Sequence, residues 1–437
     1  MLPEIIPPAK FSFLIHEAAR CLQCWNAPCE SACPVHIPVP RFIAMLKSGN
    51  FLGAAEEIKA ANTLANICGT VCPQEVFCQA ACTRGKIGSP VAIRELHDLA
   101  TAAEAASGFR QPVFAPIVKG CSVAIVGAGP AGLSCALELL RCGIPPVLYD
   151  VSSRAGGVPA HVIPEWRIHQ EAIDRDLNFL ERFLPVPRQI RSPVSLRKLL
   201  SVHSAVFLAT GLWRDRRLGI PGEDLKGVFY AMDYLRAART APEKISGFRK
   251  VIVVGGGNVS LDVAATARRL GAEEVMLTYR RSPLEMRTWK AEREAAEAAG
   301  VLMAYQTQPV EILGSSGGVR ALKLQRTRMM EQVDDSGRRI AGPVSGSEFV
   351  LETEAVVVAV GQESAVEFDL PLERGPKGTV RTGAGFATSI PGVFAGGDLI
   401  RGEGTIVEAV ADGKRAAKSI AAWLSGQSDR VRPETNH

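Results

Sequence analysis

The sequence predicts an α/β fold in which a helical, cysteine-bearing N-terminal domain precedes two Rossmann-like domains. Three observations predict it. Eight of the eleven cysteines fall within Cys21–Cys82, a strand, glycine turn, helix and strand follow one another from Ser122, and the same series recurs from Lys250. The 437 residues, 47% apolar and 22% charged, supply material for two or three domains. Ser107–Gly120, with Pro112, Pro116 and little periodicity, reads as the linker after the helical part.

From about Phe11 to Ala105 the pattern is helical, with amphipathic segments at Pro40–Ser48 and Gly53–Ala61 between Cys-Pro and Gly turns. Cys21, Cys24, Cys29 and Cys33 are followed by Cys68, Cys72, Cys78 and Cys82, with Pro34 and Pro73 directly after Cys33 and Cys72. A Cys-x2-Cys-x4-Cys-x3-Cys-Pro run resembles the thiolate sets that hold [4Fe–4S] cubanes, so two four-iron clusters and single-electron chemistry are expected. Disulfides fit less well, because the chain begins MLPEIIPPAK with no basic start, apolar stretch or cleavage site. Structural zinc usually pairs two Cys-x2-Cys hairpins, and here Cys21-x2-Cys24 stands alone. Free, metal-loaded thiols point to the reducing cytoplasm. Gly, Pro or charged residues interrupt every apolar stretch, so membrane insertion is not expected. The formal charge of +5 implies no nucleic acid, since thiolates and cofactor phosphates add negative charge that the count omits.

The first glycine turn joins strand Val123–Val126 to helix Ala131–Cys142, with strand Pro146–Tyr149 beyond. Gly127, Gly129, Pro130, Ala131 and Gly132 form a Gly-x-Gly-x-x-Gly fingerprint that lets backbone amides and a helix dipole meet a pyrophosphate. Asp150, at the end of the second strand, can accept hydrogen bonds from an adenosine ribose, and Gly157 offers a second close backbone approach. Gly396-Gly397-Asp398 resembles the second flavin motif of two-dinucleotide flavoproteins. Thr405-Ile-Val-Glu408 reads as a capping box that starts a helix with its positive end toward the cofactor. Ala209-Thr210-Gly211 resembles the turn by which a flavin domain hands the chain onward, so Thr210 and Gly211 complete the expected FAD site.

The second turn joins Val251–Val254 to Asn258–Leu270, with Val275–Tyr279 beyond. Gly255, Gly257, Asn258 and Val259 lie where backbone would face the phosphates, and Ser260 replaces the third glycine with another small residue. Arg280 and Arg281 stand where an acidic residue would grip an NAD ribose. Two guanidiniums there favour a 2′-phosphate, making NADPH the first choice and NADH the alternative.

With Arg20-Cys21, Ala27-Pro28-Cys29, Cys33-Pro34, Cys68-Gly-x-Val-Cys72-Pro73, Leu218-Gly-Ile-Pro-Gly222, Tyr279-Arg280-Arg281 and Gly396-Gly397-Asp398, nearly the whole chain resembles one group. It is similar to the NAD(P)H-oxidising flavin and iron–sulfur module found as the glutamate synthase small subunit and as the electron-input half of dihydropyrimidine dehydrogenase. Ala27-Pro28 looks closer to the second. The resemblance implies a helical domain at 1–119 holding two [4Fe–4S] clusters, an FAD domain at 120–212 and 362–437, and an NAD(P)H domain at 213–361. It implies hydride transfer from NAD(P)H to FAD, then single electrons passed through the clusters to a partner. It further implies interleaved ligands, with Cys21, Cys24, Cys29 and Cys82 on one cluster and Cys33, Cys72 and Cys78 on the other. Relatives often complete the second with Gln or Glu at the position of His97, so either His97 or Cys68 is the fourth ligand here. Gly157-Val-Pro-Ala-His161-Val-Ile-Pro164 also departs from relatives, which carry another glycine before Ile-Pro.

The expected function is an electron-input oxidoreductase subunit of the dihydropyrimidine dehydrogenase type. A glutamate synthase small subunit and a freestanding NADPH:ferredoxin or acceptor oxidoreductase are the alternatives. A disulfide reductase would need a Cys-x2-Cys in the second nucleotide domain, and residues 213–361 contain no cysteine. A non-catalytic electron carrier would not let NADPH bleach its flavin. No catalytic side chain is assigned.

Overall fold

The computed structural model describes residues 7–108, 112–315, 317–334 and 337–428. They divide into two compact units. One contains the chain up to Ala160, Trp166–Leu212 and the stretch from Ser364 onward; the other contains His161–Glu165 and Trp213–Glu363.

The first unit begins with helices α1 (Pro8–Ala19), α2 (Val39–Lys47), α3 (Phe51–Ala61), α4 (Ala65–Val71) and α5 (Ile93–Ser107). Asn50 caps α3 by accepting from Gly53 N at 3.0 Å, as a short side chain at that position should. Leu14, Phe42, Ile43, Ile58, Leu64, Ile67, Leu96 and Leu99 are buried, so these short helices gain their stability from packing on one another. Within this core, Glu104 on α5 pairs with Lys59 on α3, and the Lys59 ammonium lies 4.3 Å from the Phe179 ring centroid. The expected linker includes 109–111, outside the described residues; its described part, 112–120, has no helix or strand.

Next come β1 (Val123–Val126), α6 (Pro130–Arg141), β2 (Pro146–Asp150), α7 (Gln170–Glu181), β3 (Arg188–Gln189) and β4 (Ala205–Leu208). All residues of β1 and β4 are buried, which is the pattern of parallel strands covered on both faces.

The chain then builds the second unit with β5 (Val228–Tyr230), β6 (Lys250–Gly255), α8 (Asn258–Arg269), β7 (Glu274–Tyr279), β8 (Val301–Tyr305), β9 (Thr307–Ser315), β10 (Gly318–Val333), β11 (Arg339–Glu352) and β12 (Ala355–Ala359). Its parallel sheet has the order β5-β12-β6-β7-β8, and β9-β10-β11 form a separate antiparallel sheet. Long β10 and β11 are the element that the sequence reading did not anticipate. Ile252, Val254, Val356 and Val358 of the parallel sheet pack with Ile312, Leu322 and Leu324 of the antiparallel one. Glu223 fixes the Leu218–Gly222 turn by accepting from Leu218 N at 2.7 Å, Gly219 N at 2.9 Å and Tyr230 Oη at 3.0 Å.

The first unit closes with β13 (Val393–Ala395) and α9 (Ile406–Ser428). Its parallel sheet has the order β13-β4-β1-β2-β3, so a strand from the far end of the chain pairs with β4 through Val393–Val206 to Ala395–Leu208. Helix α9 crosses α6 where Gly413 meets it. A Cβ there would stand 2.1 Å from Ala131 O and 2.9 Å from Cys135 N. Gly413→Ala is therefore expected to force the helices apart, lowering stability by roughly 1–3 kcal/mol. Thermal unfolding of the variant, with flavin content measured alongside, checks this.

Candidate flavin, nicotinamide and iron–sulfur sites

The glycine turn after β1 is set by close approaches. At Gly127, with φ +108°, a Cβ would lie 2.3 Å from Ala209 O; at Gly132 it would lie 1.8 Å from Gly127 O. Gly157 sits on the same turn, because its Cβ would fall 2.8 Å from Gly129 Cα. It starts a single helical turn, Gly157–His161, where the departure before Ile-Pro occurs. Asp150 does more than end its strand. Its carboxylate accepts from Ala128 N at 2.7 Å and from Ser152 N at 2.9 Å, bracing the turn from below.

The C-terminal part meets this turn directly. Gly397 has φ +67°, and a Cβ on it would stand 3.0 Å from the Ala131 Cβ. Its N–H is held at 3.2 Å by the fully buried Asp412, which also accepts from Arg401 Nε at 2.6 Å and Nη2 at 2.7 Å and from Arg415 at 3.0 Å. Burial, with the Glu408 charge next, pushes the Asp398 carboxyl up to about 6. The capping box forms as read: Thr405 N donates to Glu408 Oε2 at 2.8 Å, and Glu408 N to Thr405 Oγ1 at 3.3 Å. Thr210 Oγ1 is buried without a hydrogen-bond partner, and Gly211 has φ +64°. An orphaned hydroxyl beside a glycine-lined cradle fits a polar cofactor such as FAD. The buried Asp412 and its two arginines had no local signature in the sequence.

In the second unit, a Cβ on Gly255 would lie 2.3 Å from Ala359 O and one on Gly256 2.1 Å from the Tyr279 ring, whereas Gly257 faces open space. Backbone at Gly257 and the start of α8 is therefore free to meet a pyrophosphate. Asn258 Oδ1 accepts from Trp289 N at 3.1 Å, and fully buried Ser260 donates to Gly257 O at 2.6 Å. Val259 occupies the first turn of α8 between them. The two arginines part company. Arg280 is exposed, but Arg281 is 4% exposed and bonds Asp334 at 2.6 Å, so the expected pair of free guanidiniums is reduced to one. The physical reason is β10, whose end carries Asp334 to Arg281.

The eight cysteines are free thiols that fall into two neighbourhoods. Burial, then Cys21 and Cys82, pushes the Cys29 thiol up to about 12; Cys21 is raised by burial and by Cys82 and Cys24. Cys78 is raised by burial, then by Cys72, Cys33 and, across from the other set, Cys29, and Cys72 by burial, then Cys68 and Cys33. Cys21, Cys24, Cys29 and Cys82 thus stand together, as do Cys33, Cys68, Cys72 and Cys78. Among the described residues no three His, Cys, Asp or Glu converge as around one metal ion. Four-iron cages hold each thiolate at its own iron, so such sets are wider. A cationic iron core is what would turn buried thiols of this kind into thiolates.

His97 is buried on α5. Burial lowers its ring to about 4, and it hydrogen-bonds the backbone of Ala65 while Nε2 has no partner. A neutral imidazole fixed through one nitrogen is how a metal-ligating histidine is held. Cys68 is buried beside Cys33 and Cys72, and burial raises its thiol.

The residue that fastens this region was missed by sequence reasoning. Asp176 on α7, 1% exposed, accepts from Asn66 N at 3.1 Å, Asn66 Nδ2 at 2.8 Å and Ile67 N at 2.8 Å. Its carboxylate caps α4, the helix that carries Cys68 and leads to Cys72.

Residues 3–109 match the family described as dihydropyrimidine dehydrogenase domain II, 4Fe-4S cluster, and residues 121–413 match pyridine nucleotide-disulphide oxidoreductase. The chain belongs to the pyridine nucleotide-disulphide oxidoreductase family. Within that family it is 35% identical to the glutamate synthase [NADPH] small chain of Halomonas elongata, over 96% of this chain and 93% of that one. It is 31% identical to the NAD-dependent dihydropyrimidine dehydrogenase subunit PreT of Escherichia coli, over 97% and 98%. Identity to the NADP(+)-dependent formate dehydrogenase subunit beta of Moorella thermoacetica is 35%, and the chain spans 60% of that protein. Mycobacterium tuberculosis FprA in complex with NADPH shares the fold, with TM-score 0.60 and 21% identity over 74% of this chain and 88% of that one. The chain is thus an NAD(P)H-dependent oxidoreductase of FAD and [4Fe–4S] type. No helix among the described residues is long and apolar enough to cross a membrane.

Three outcomes follow from these contacts. Asp176→Ala strands three donors and should cost about 3 kcal/mol; denaturant unfolding and iron content measure the loss. Arg280→Ala should lower the ratio of NADPH to NADH turnover by about tenfold, the loss of one charge-assisted contact. Arg281→Ala should instead lower the melting temperature while changing that ratio little, as kcat/KM with each nucleotide would show.

Proposed function

We propose that this oxidoreductase is the electron-input half of a two-part reductase, oxidising NADPH and passing single electrons to a partner subunit, most nearly of the dihydropyrimidine dehydrogenase type. The observation that carries the reading is two neighbourhoods of cysteine thiols, one around Cys29 and one around Cys72 and Cys78, in the unit that also holds the flavin turn. When bound, the flavin takes a hydride and the clusters accept electrons singly.

The chain's own residues divide the work by domain: 1–119 for two [4Fe–4S] clusters, 120–212 with 362–437 for FAD, and 213–361 for NADPH. Gly127, Gly129 and Gly132, with Pro130 and Ala131 opening α6, hold the pyrophosphate of FAD. Asp150 takes its ribose while bracing the turn, and Asp398, Thr210, Gly211, Gly397 and Thr405 line the rest. Gly255, Gly257, Asn258 and Val259 hold the NADPH pyrophosphate, and Arg280 its 2′-phosphate. Cys21, Cys24, Cys29 and Cys82 hold one cluster. Cys33, Cys72, Cys78 and His97 hold the other, supported by the unpartnered His97 Nε2 and leaving Cys68 spare. Dependence on free thiols suits a reducing, cytoplasmic setting.

The partner assignment is supported by the full-length match to PreT, whose name is that of a dihydropyrimidine dehydrogenase subunit. A second reading, a glutamate synthase small subunit, is favoured by the 35% identity to that chain from Halomonas elongata. Anaerobic purification from the native source distinguishes them. A co-eluting FMN-barrel subunit supports the first reading and a large amidotransferase subunit the second; elution alone would leave a freestanding NADPH:acceptor oxidoreductase. Iron analysis tests the ligands. His97→Ala should cut iron from about eight atoms per chain toward about four, whereas Cys68→Ala should leave it unchanged; the reverse result would make Cys68 the ligand.

A further inference from the structure

Trp25 lies between Cys24 and Cys29 and is 101% exposed, with every face in water. That is unusual for the largest apolar side chain, which folded proteins normally cover at least in part. Two further apolar side chains accompany it, Leu22 at 48% and Ile87 at 70% exposure. All three belong to segments drawn together around the first cysteine set. Cys24 Sγ lies 3.4 Å from Thr83 Oγ1, and Arg20, just before Cys21, donates to Pro90 O at 3.5 Å and also to Ser89 O. The loop bearing Trp25 is held firmly. Gln23 and Ala27 have φ of +53° and +35°, conformations that non-glycine residues adopt only when their surroundings dictate them. Ala27 N bonds Cys24 O at 3.2 Å, and Gln23 Nε2 reaches Cys21 Sγ at 3.4 Å.

Two exposed lysines lie beside this patch. Lys47 acts on Cys21, and Lys86 lies one residue before Ile87; both are exposed and neither makes an ion pair among the described residues. A rigid aromatic anchor beside apolar neighbours and unpaired lysines has the composition of a binding hot spot with a basic rim. An acidic partner complements it.

We propose that Leu22, Trp25 and Ile87, with Lys47 and Lys86 at the rim, form the docking surface for an acidic one-electron carrier protein that draws electrons from the cluster held by Cys21, Cys24, Cys29 and Cys82. This rests on the reading above that these cysteines hold a cluster. One electron leaves the reduced cluster and one oxidised acceptor centre becomes reduced, so two acceptor molecules are consumed per NADPH.

The test uses the anaerobically purified, cluster-loaded protein with NADPH and two coloured acceptors: rubredoxin, an acidic one-iron carrier, and horse cytochrome c, which is basic. Rubredoxin should be reduced faster at low salt, and its rate should fall as ionic strength rises. Trp25→Ala, which removes no packing, should slow rubredoxin reduction about tenfold or more. Lys47→Glu with Lys86→Glu should abolish the salt dependence. In all variants NADPH should still bleach the flavin and generate the cluster electron paramagnetic resonance signal at wild-type rates. Equal rubredoxin rates in wild type and Trp25→Ala, no rubredoxin reduction by a protein whose clusters do reduce, or a preference for cytochrome c would each overturn the docking surface. Flavin bleaching without any cluster signal in the wild type would instead overturn the reading on which it rests.

Discussion

One buried carboxylate ties the iron–sulfur helices to the flavin part. Asp176 projects from α7 and satisfies two N–H groups at the start of α4 together with the Asn66 amide. The first N–H groups of any helix lack partners within it, and α4 is too short and too buried to leave them to water. Removing a carboxylate from water is costly, and burial duly pushes the Asp176 carboxyl up to about 6. Three donors converging on it offset that cost, and the helix dipole adds to the attraction. The orientation of Cys72, at the end of this helix, is thus set by a residue over a hundred positions away.

Contacts on either side of this anchor serve the same constraint. Thr63 and Ser134 share a hydrogen bond of 3.2 Å, and Ser134 donates onward to Val410 O at 2.9 Å. Lys414 on α9 reaches the carbonyls of Ala60 and Ala61 at the end of α3, at 3.0 and 2.7 Å, where a cation complements the negative helix terminus. The cluster-bearing helices and the flavin sheet are therefore joined by polar bonds placed at helix ends. Sliding of one on the other would leave several of these groups without partners at once. Electron transfer between bound groups requires a fixed separation, and this set of contacts supplies the fixity.

Both glycine turns were legible in the sequence because their requirement is local. Gly127 and Gly255 face carbonyls two ångströms or so from where a Cβ would be, and no other residue satisfies that. The strands beside them were legible for a similar reason, as short apolar runs before glycine, and β1 falls at Val123–Val126 as read. Asp176, Asp412 and the partner of Arg281 were not. Each depends on which distant segment arrives at the site, and a lone Asp in an amphipathic helix looks like any other solvated acid. Arg281 illustrates the cost of local reasoning. Adjacent arginines suggest one shared ligand, yet adjacent residues at a strand end point to opposite faces, and the inward one is met by Asp334.

The pairing of β13 with β4 has a consequence for how the protein is made. Strand β4 is synthesised long before β13, and nearly all of the second unit, Trp213–Glu363, is translated between them. The emerging chain therefore carries an unfinished sheet edge beside β4, and the loop ending in Asp398 arrives only after the second unit. Domains that are contiguous in sequence can fold as they leave the ribosome, but this one must wait for its C-terminal strand. Until then the exposed edge of β4 is open to mispairing, while the second unit, nearly continuous in sequence, is free to fold first. Nascent chains halted before β13 would thus hold a folded second unit and an incomplete first one.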